Sequence, residues 1–169
     1  MPFLELINIH KVYENAPLLR GVSFSVDRGT IACLLGASGS GKTTLLRIMA
    51  GLEAPEQGRI LLENEDLTGV PTHRRGIGLM FQDYALFPHK TVVQNVAFGL
   101  KMSRNVENKG AITARAREML DVVGMAGFEQ RDVNELSGGE RQRVALARSL
   151  APRPRPVSYT HLRAHETVL

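Results

Sequence analysis

Ile31-Ala32-Cys33-Leu34-Leu35-Gly36-Ala37-Ser38-Gly39-Ser40-Gly41-Lys42-Thr43 decides the reading of this 169-residue chain. Ile31–Leu35 is a continuous apolar run, suited to a strand buried on both faces. Gly36–Gly41 is glycine-rich, and Thr43–Ala50 carries Leu45, Leu46, Ile48 and Met49 in a helical pattern that stops at Gly51. Gly36 to Thr43 matches the phosphate-loop pattern G-x-x-x-x-G-K-[ST] at every fixed position, with the required flanks. Glycines 36, 39 and 41 permit torsions and close approaches that a Cβ blocks. Backbone N–H groups of Ala37, Ser38, Ser40 and Thr44 then converge with theirs on phosphates, and the helix directs its positive end at the same anion. Lys42 supplies a point charge for β- and γ-phosphates, and Thr43 a hydroxyl for Mg²⁺. The alternative, a glycine-rich turn that happens to precede a lysine, does not account for the flanks.

Outward from this loop, the N-terminal stretch reads as β. Leu4, Leu6 and Ile9 begin an apolar pattern, and Val22, Phe24 and Val26 alternate with polar residues. Ile60-Leu61-Leu62 and Ile77–Phe81 are further strands. From Pro88 the period becomes helical: Val92 to Phe98, Ile112 to Val123 with Gly124 as its stop, and Leu136 to Leu150.

A second anion-ready helix start lies at Leu136-Ser137-Gly138-Gly139-Glu140, where Ser137 is a natural N-cap followed by two glycines. An ordinary capped helix would read the same in isolation. Behind a phosphate loop, however, Leu-Ser-Gly-Gly-Glu resembles the signature motif of ATP-binding cassette (ABC) proteins. The resemblance implies an α/β P-loop NTPase: a RecA-like core, an N-terminal antiparallel β part and a helical subdomain. It implies ATP and Mg²⁺ as cofactors. It also implies a second ATPase subunit paired head to tail, so that the signature acts in trans on the partner's ATP.

Further roles follow from the same resemblance. Tyr13 stands where the family stacks an aromatic on adenine, which is the favoured reading over a half-buried strand tyrosine. Gln82 resembles the glutamine that reaches Mg²⁺ and the attacking water. Gln82–Pro88 matches the segment that meets the membrane permease, with Leu86 and Phe87 expected to be exposed; a small satellite core is the other reading, and the two are compatible. FQDYALFPHKTVVQNVAFGLKM, residues 81–102, resembles bacterial importer ATPases serving polyamines, ferric iron, sulfate, molybdate and sugars. The place implied is cytoplasmic, peripheral on the inner face of the plasma membrane.

Composition agrees. Apolar residues at 43% and charged residues at 22% suit a globular chain. No apolar run spans a bilayer, and the first residues do not read as a signal peptide. The single cysteine, Cys33, fits a reducing compartment. The net charge of +4 is scattered, and tryptophan is absent, so a nucleic-acid partner is not expected. His73, Arg74 and Arg75 read as a solvated loop rather than a phosphate patch. His10 and His89 lack metal-ligand partners.

The resemblance runs from Leu4 to about Arg155 and then stops. The family continues into an apolar strand ending in Asp-Glu, the Walker B pair, and later a switch histidine. Here the last aspartate is Asp132, and the only acid after Arg155 is Glu166. His161 and His165 come too early to be the switch. The domain reading is therefore an incomplete ATPase domain over 1–155: a β and phosphate-loop core over 1–87, a helical subdomain over 88–135 and a signature helix over 136–151. Residues 156–169 resemble a translated sequencing adapter and are expected to be foreign. On this reading Ile31–Leu35 is poorly covered, and the β-forming Val157–Leu162 pairs with a free strand edge without supplying a carboxylate. Lys42 and Gln82 remain as catalytic residues. The competing readings are a non-transport ABC ATPase, disfavoured by the lack of coiled-coil heptads and of a second cassette, and an inactive nucleotide-binding fragment.

Overall fold

The computed structural model describes residues 2–80, 84–102, 108–155 and 157–159. The chain divides into two compact units, Met1–Ile77 and Gly78–Leu169, ten residues earlier than the boundary expected from the sequence.

The first unit is built on β1 (Leu4–Tyr13), β2 (Ala16–Val26), α1 (Lys42–Ala50), β3 (Gln57–Leu62), β4 (Glu65–Asp66) and the single-turn α2 (Thr72–Arg75). The four strands form an antiparallel sheet in the order β2-β1-β3-β4. Two tight turns set its register. Glu14-Asn15 joins β1 to β2 and Glu63-Asn64 joins β3 to β4, all four residues at positive φ. Two-residue turns of that kind match the right-handed twist of the strands, and asparagine tolerates the left-handed conformation. Leu4, Leu6, Ile9, Leu19, Ile60 and Leu62 are buried, with Leu45, Leu46, Ile48, Met49 and Ala50 of α1.

The register of β1 shifts around Asn8 against both neighbours, and Asn8 itself has φ 54°. This bulge takes its Asn8 N–H out of the ladder to donate to Ser23 Oγ at 2.8 Å. It also presses main chain against β3. A Cβ on Gly58, at φ +105°, would stand 2.5 Å from the Asn8 carbonyl oxygen.

Ile31–Leu35 departs from expectation. Residues 30–37 form no regular structure. Ile31 is 86% and Leu35 92% exposed, and Cys33 is exposed as well. A strand persists only where its N–H and C=O groups find a ladder. No described strand pairs with this run, so its apolar sequence alone does not make it one. The poor covering expected for it is what the structure has.

The second unit holds β5 (Gly78–Met80), α3 (Val92–Met102), α4 (Lys109–Val122), a 3₁₀ turn (Val133–Glu135), α5 (Gly138–Leu150) and β6 (Val157–Tyr159). The three helices surround a core of Val92, Val96, Ala116, Leu120, Met125, Val144 and Ala147. The α4 helix begins earlier than its apolar pattern, because the Asn108 side chain accepts from Gly110 N and caps it. β6 pairs in parallel with β5, Gly78 opposite Val157 and Met80 opposite Tyr159, within the segment expected to find a free edge.

Replacing Gly58 by alanine forces a side chain into the left-handed region and against Asn8. A loss of about 2–4 kcal/mol is expected in urea unfolding. Gly69→Ala, where a Cβ meets nothing, should lie within about 0.5 kcal/mol of the parent.

Candidate functional site

The first unit carries the phosphate-loop cluster. Gly36, Gly39 and Gly41 all have positive φ, at 159°, 79° and 88°. Gly41 forms the N-cap of α1, and a Cβ there would come within 2.7 Å of Leu19. The loop is thus seated on β2 by the missing side chain. Lys42 folds back into it, donating to the Gly36 and Ala37 carbonyls at 2.7 Å each and lying 3.3 Å from Ser40 Oγ. The ammonium is held inside the arc of the loop, while Ala37, Ser38, Ser40 and Thr43 are exposed and Thr44 is half-buried. A narrow cradle, a fixed cation and a helix N-terminus suit a polyphosphate. For Mg²⁺ the same place offers the Thr43 hydroxyl. Among the described residues no group of three His, Cys, Asp or Glu side chains gathers.

Tyr13 ends β1 beside this loop helix, 44% exposed. Its hydroxyl donates to Glu53, and that hydrogen bond is the main reason its pKa is raised above the ordinary phenol range. Lys11 reaches the Ala54 carbonyl at 2.8 Å, Glu56 at 3.1 Å and Glu53 at 3.4 Å.

Arg75 corrects the solvated-loop reading. It is only 3% exposed and donates to the carbonyls of Ile48 (2.8 Å), Met49 (2.9 Å), Val70 (2.7 Å) and Thr68 (3.0 Å). It closes the C-terminal end of α1 rather than contacting a ligand.

The second unit carries the signature cluster. Leu136 is buried and anchors the entry to α5. Ser137 Oγ accepts from Glu140 N at 3.3 Å, and Glu140 Oε2 accepts from Ser137 N at 2.7 Å, a reciprocal capping box. Hydrogen bonding of the Ser137 side chain and main-chain N–H to the carboxylate lowers the Glu140 pKa from its ordinary value. Gly138 and Gly139 are exposed with open space around them, so the first turn of α5 presents bare main chain.

Between β5 and α3, residues 84–91 are held by two side chains that the sequence reading did not single out. Asn95 is fully buried; its Oδ1 accepts from Phe87 N at 2.7 Å, and its amide donates to the carbonyls of Phe87, Lys90 and Thr91. Arg148, on α5, donates to the carbonyls of Tyr84 and Ala85 at 2.6 Å each, and burial lowers its pKa. Both lie on the buried stripes of their helices, Asn95 beside Val96 and Arg148 one turn after Val144. A polar group on such a stripe is the signal that marks them. Leu86 and Phe87 are half-buried rather than exposed: Leu86 packs on the helical core, and the Phe87 ring lies 4.3 Å from Phe98. That corrects the expected exposure and agrees with the satellite core expected beside it. Gln82 lies outside the described residues.

A family model described as ABC transporter matches residues 19–157. The putrescine transport ATP-binding protein PotG of Escherichia coli (strain K12) is 52% identical over 154 residues, 91% of this chain and 40% of that protein. The sulfate/thiosulfate import ATP-binding protein CysA 2 of Agrobacterium fabrum (strain C58 / ATCC 33970) is 47% identical over 152 residues, 90% of this chain and 45% of that protein. The chain therefore spans less than half the length of these curated relatives. Among solved structures, the dimeric post-hydrolysis state of the ATP-binding cassette MJ0796 bound to ADP and Pi superposes with a TM-score of 0.82 at 30% identity, covering 92% of this chain and 72% of that one. The fold is accordingly the α/β P-loop NTPase expected, with its antiparallel β part and helical block.

Asn95→Ala removes the side-chain partner of Phe87 N–H and of the Lys90 carbonyl, and one of the two bonds to each of the Phe87 and Thr91 carbonyls. A loss of about 3 kcal/mol in chemical unfolding is expected, with new proteolytic cleavage in residues 84–91 of the folded chain.

Proposed function

Because this chain belongs to the ABC transporter family, we propose that it is the nucleotide-binding part of an importer ATPase subunit. The observation that supports this most directly is the Lys42 ammonium held within the Gly36–Gly41 arc at the start of α1. On this reading Gly36, Ala37, Ser38, Gly39, Ser40, Gly41, Lys42, Thr43 and Thr44 bind the phosphates of ATP and Tyr13 stacks on adenine. Lys42 exchanges its carbonyl partners for β- and γ-phosphate oxygens as the nucleotide enters. Mg²⁺, when bound, neutralises those oxygens; Thr43 and Gln82 are the residues that would hold it. Leu136, Ser137, Gly138, Gly139 and Glu140 act in trans, in a head-to-tail dimer with a second ATPase subunit. The bare first turn of α5 is suited to a γ-phosphate brought by that partner. The permease contact falls on Gln82–Pro88, where Ala85 and Pro88 are exposed. The subunit would then work at the inner face of a bacterial plasma membrane. Polyamine or sulfate import is the substrate class of the relatives and the proposal for this chain.

Lys42→Ala removes a charge-assisted contact of about 1.5–3 kcal/mol, so ATP affinity should fall roughly tenfold or more in calorimetry. Unchanged affinity, with an unchanged circular dichroism spectrum, would exclude the phosphate loop as the binding site.

One observation favours a second reading for this particular polypeptide, binding without turnover. No aspartate follows Asp132, and Glu166 is the only acid after Arg155. Losing a positioned general base typically slows a reaction by about 10²–10⁴. Steady-state phosphate release by the purified chain should be at least ~10²-fold slower than by a version whose residues after Arg155 come from a longer relative. Equal rates would mean that the catalytic carboxylate lies elsewhere in the chain.

A further inference from the structure

The ring of Tyr13 is exposed, but neither its hydroxyl nor both of its faces are free. The hydroxyl donates to Glu53. Glu53, whose side chain is only 14% exposed, also pairs with Lys11 at 3.4 Å and approaches Arg47 at 3.8 Å. Lys11 Nζ stands over the ring, 5.4 Å from its centroid, and is itself fixed by the Ala54 carbonyl and Glu56. One edge of the ring is therefore pinned, and one face is occupied by a cation.

We propose that Glu53 and Lys11 are positioning residues that hold Tyr13 as a single-faced platform for the adenine ring. Glu53 also approaches Arg47 of α1, which ties that platform to the helix that follows the phosphate loop. This rests on the nucleotide reading above and adds to it the residues that order the base subsite. A tyrosine with free χ angles loses rotamer freedom when a base stacks on it; one already pinned by two partners does not. Glu53 touches no nucleotide atom on this account, so its effect must be confined to ligands that carry a base.

Calorimetry with ATP and with inorganic tripolyphosphate separates these effects. Glu53→Ala should weaken ATP roughly threefold to tenfold and leave tripolyphosphate unchanged. Glu53→Gln, whose amide oxygen still accepts from the phenol, should restore ATP binding. Tyr13→Phe should weaken ATP by the same factor as Glu53→Ala, and the double variant should show no further loss. Equal weakening of ATP and tripolyphosphate in Glu53→Ala would make Glu53 a support of the loop and overturn the proposal. So would wild-type ATP affinity in Glu53→Ala alongside a loss in Tyr13→Ala. If Tyr13→Ala itself binds ATP normally, the assignment of adenine to Tyr13 fails first.

Discussion

Four main-chain carbonyls converge on one buried guanidinium, and the setting of the phosphate loop depends on it. A nine-residue helix leaves its last carbonyls without intrahelical partners. Arg75 takes those of Ile48 and Met49 and adds Thr68 and Val70 from the segment after β4. Burial disfavours the charge and lowers the Arg75 pKa, while Asp66 opposes that shift. The five N–H donors of arginine let one side chain satisfy all four carbonyls, where a lysine has only three. With its far end closed in this way and Gly41 seated against Leu18 and Leu19 at its near end, α1 has little freedom to tilt. The loop that precedes it inherits that restraint.

What the sequence made legible was whatever is local. The phosphate loop, the Ser137–Glu140 capping box and the periods of β1, β2, α1, α3 and α5 depend on residues a few positions apart. Their boundaries were read less well: β2 begins six residues before Val22, and α3 runs four residues past Phe98. The failures share a cause. Ile31–Leu35 has the composition of a buried strand, but a strand is a relation between segments, and no described segment runs beside it. The capping Arg75 satisfies carbonyls up to 27 positions away, so nothing near it in sequence announces the role. Asn95 and Arg148 were more accessible, because each interrupts an apolar stripe. Glu53 offered no such cue: its importance rests on β1 and the residues after α1 meeting in space.

The helical unit solves a different problem. Residues 84–91 connect a strand to a helix with little regular structure of their own, and such a segment usually moves. Here Asn95 satisfies its main chain from inside the core, and Arg148 from α5. Phe87 adds an apolar hold against Phe98, with the Arg148 guanidinium 5.6 Å from the Phe87 ring. Tyr84 and Ala85 accept positive φ in return for these bonds. The loop is thus an ordered part of the helical unit, with only Ala85, Pro88 and His89 left prominent on its surface.

That clamp has a kinematic consequence. Arg148 sits eleven residues beyond Ser137 on one straight element, roughly 17 Å along its axis at 1.5 Å per residue. A body of that length is a lever. A rotation of about 10° about its N-terminal end carries the guanidinium through ~3 Å, about the length of the hydrogen bonds it makes. The Tyr84–Phe87 main chain must then either follow the lever or lose both bonds to it. Small angular displacements at the capped end are in this way converted into linear travel at the loop, with the amplitude set by the length of α5.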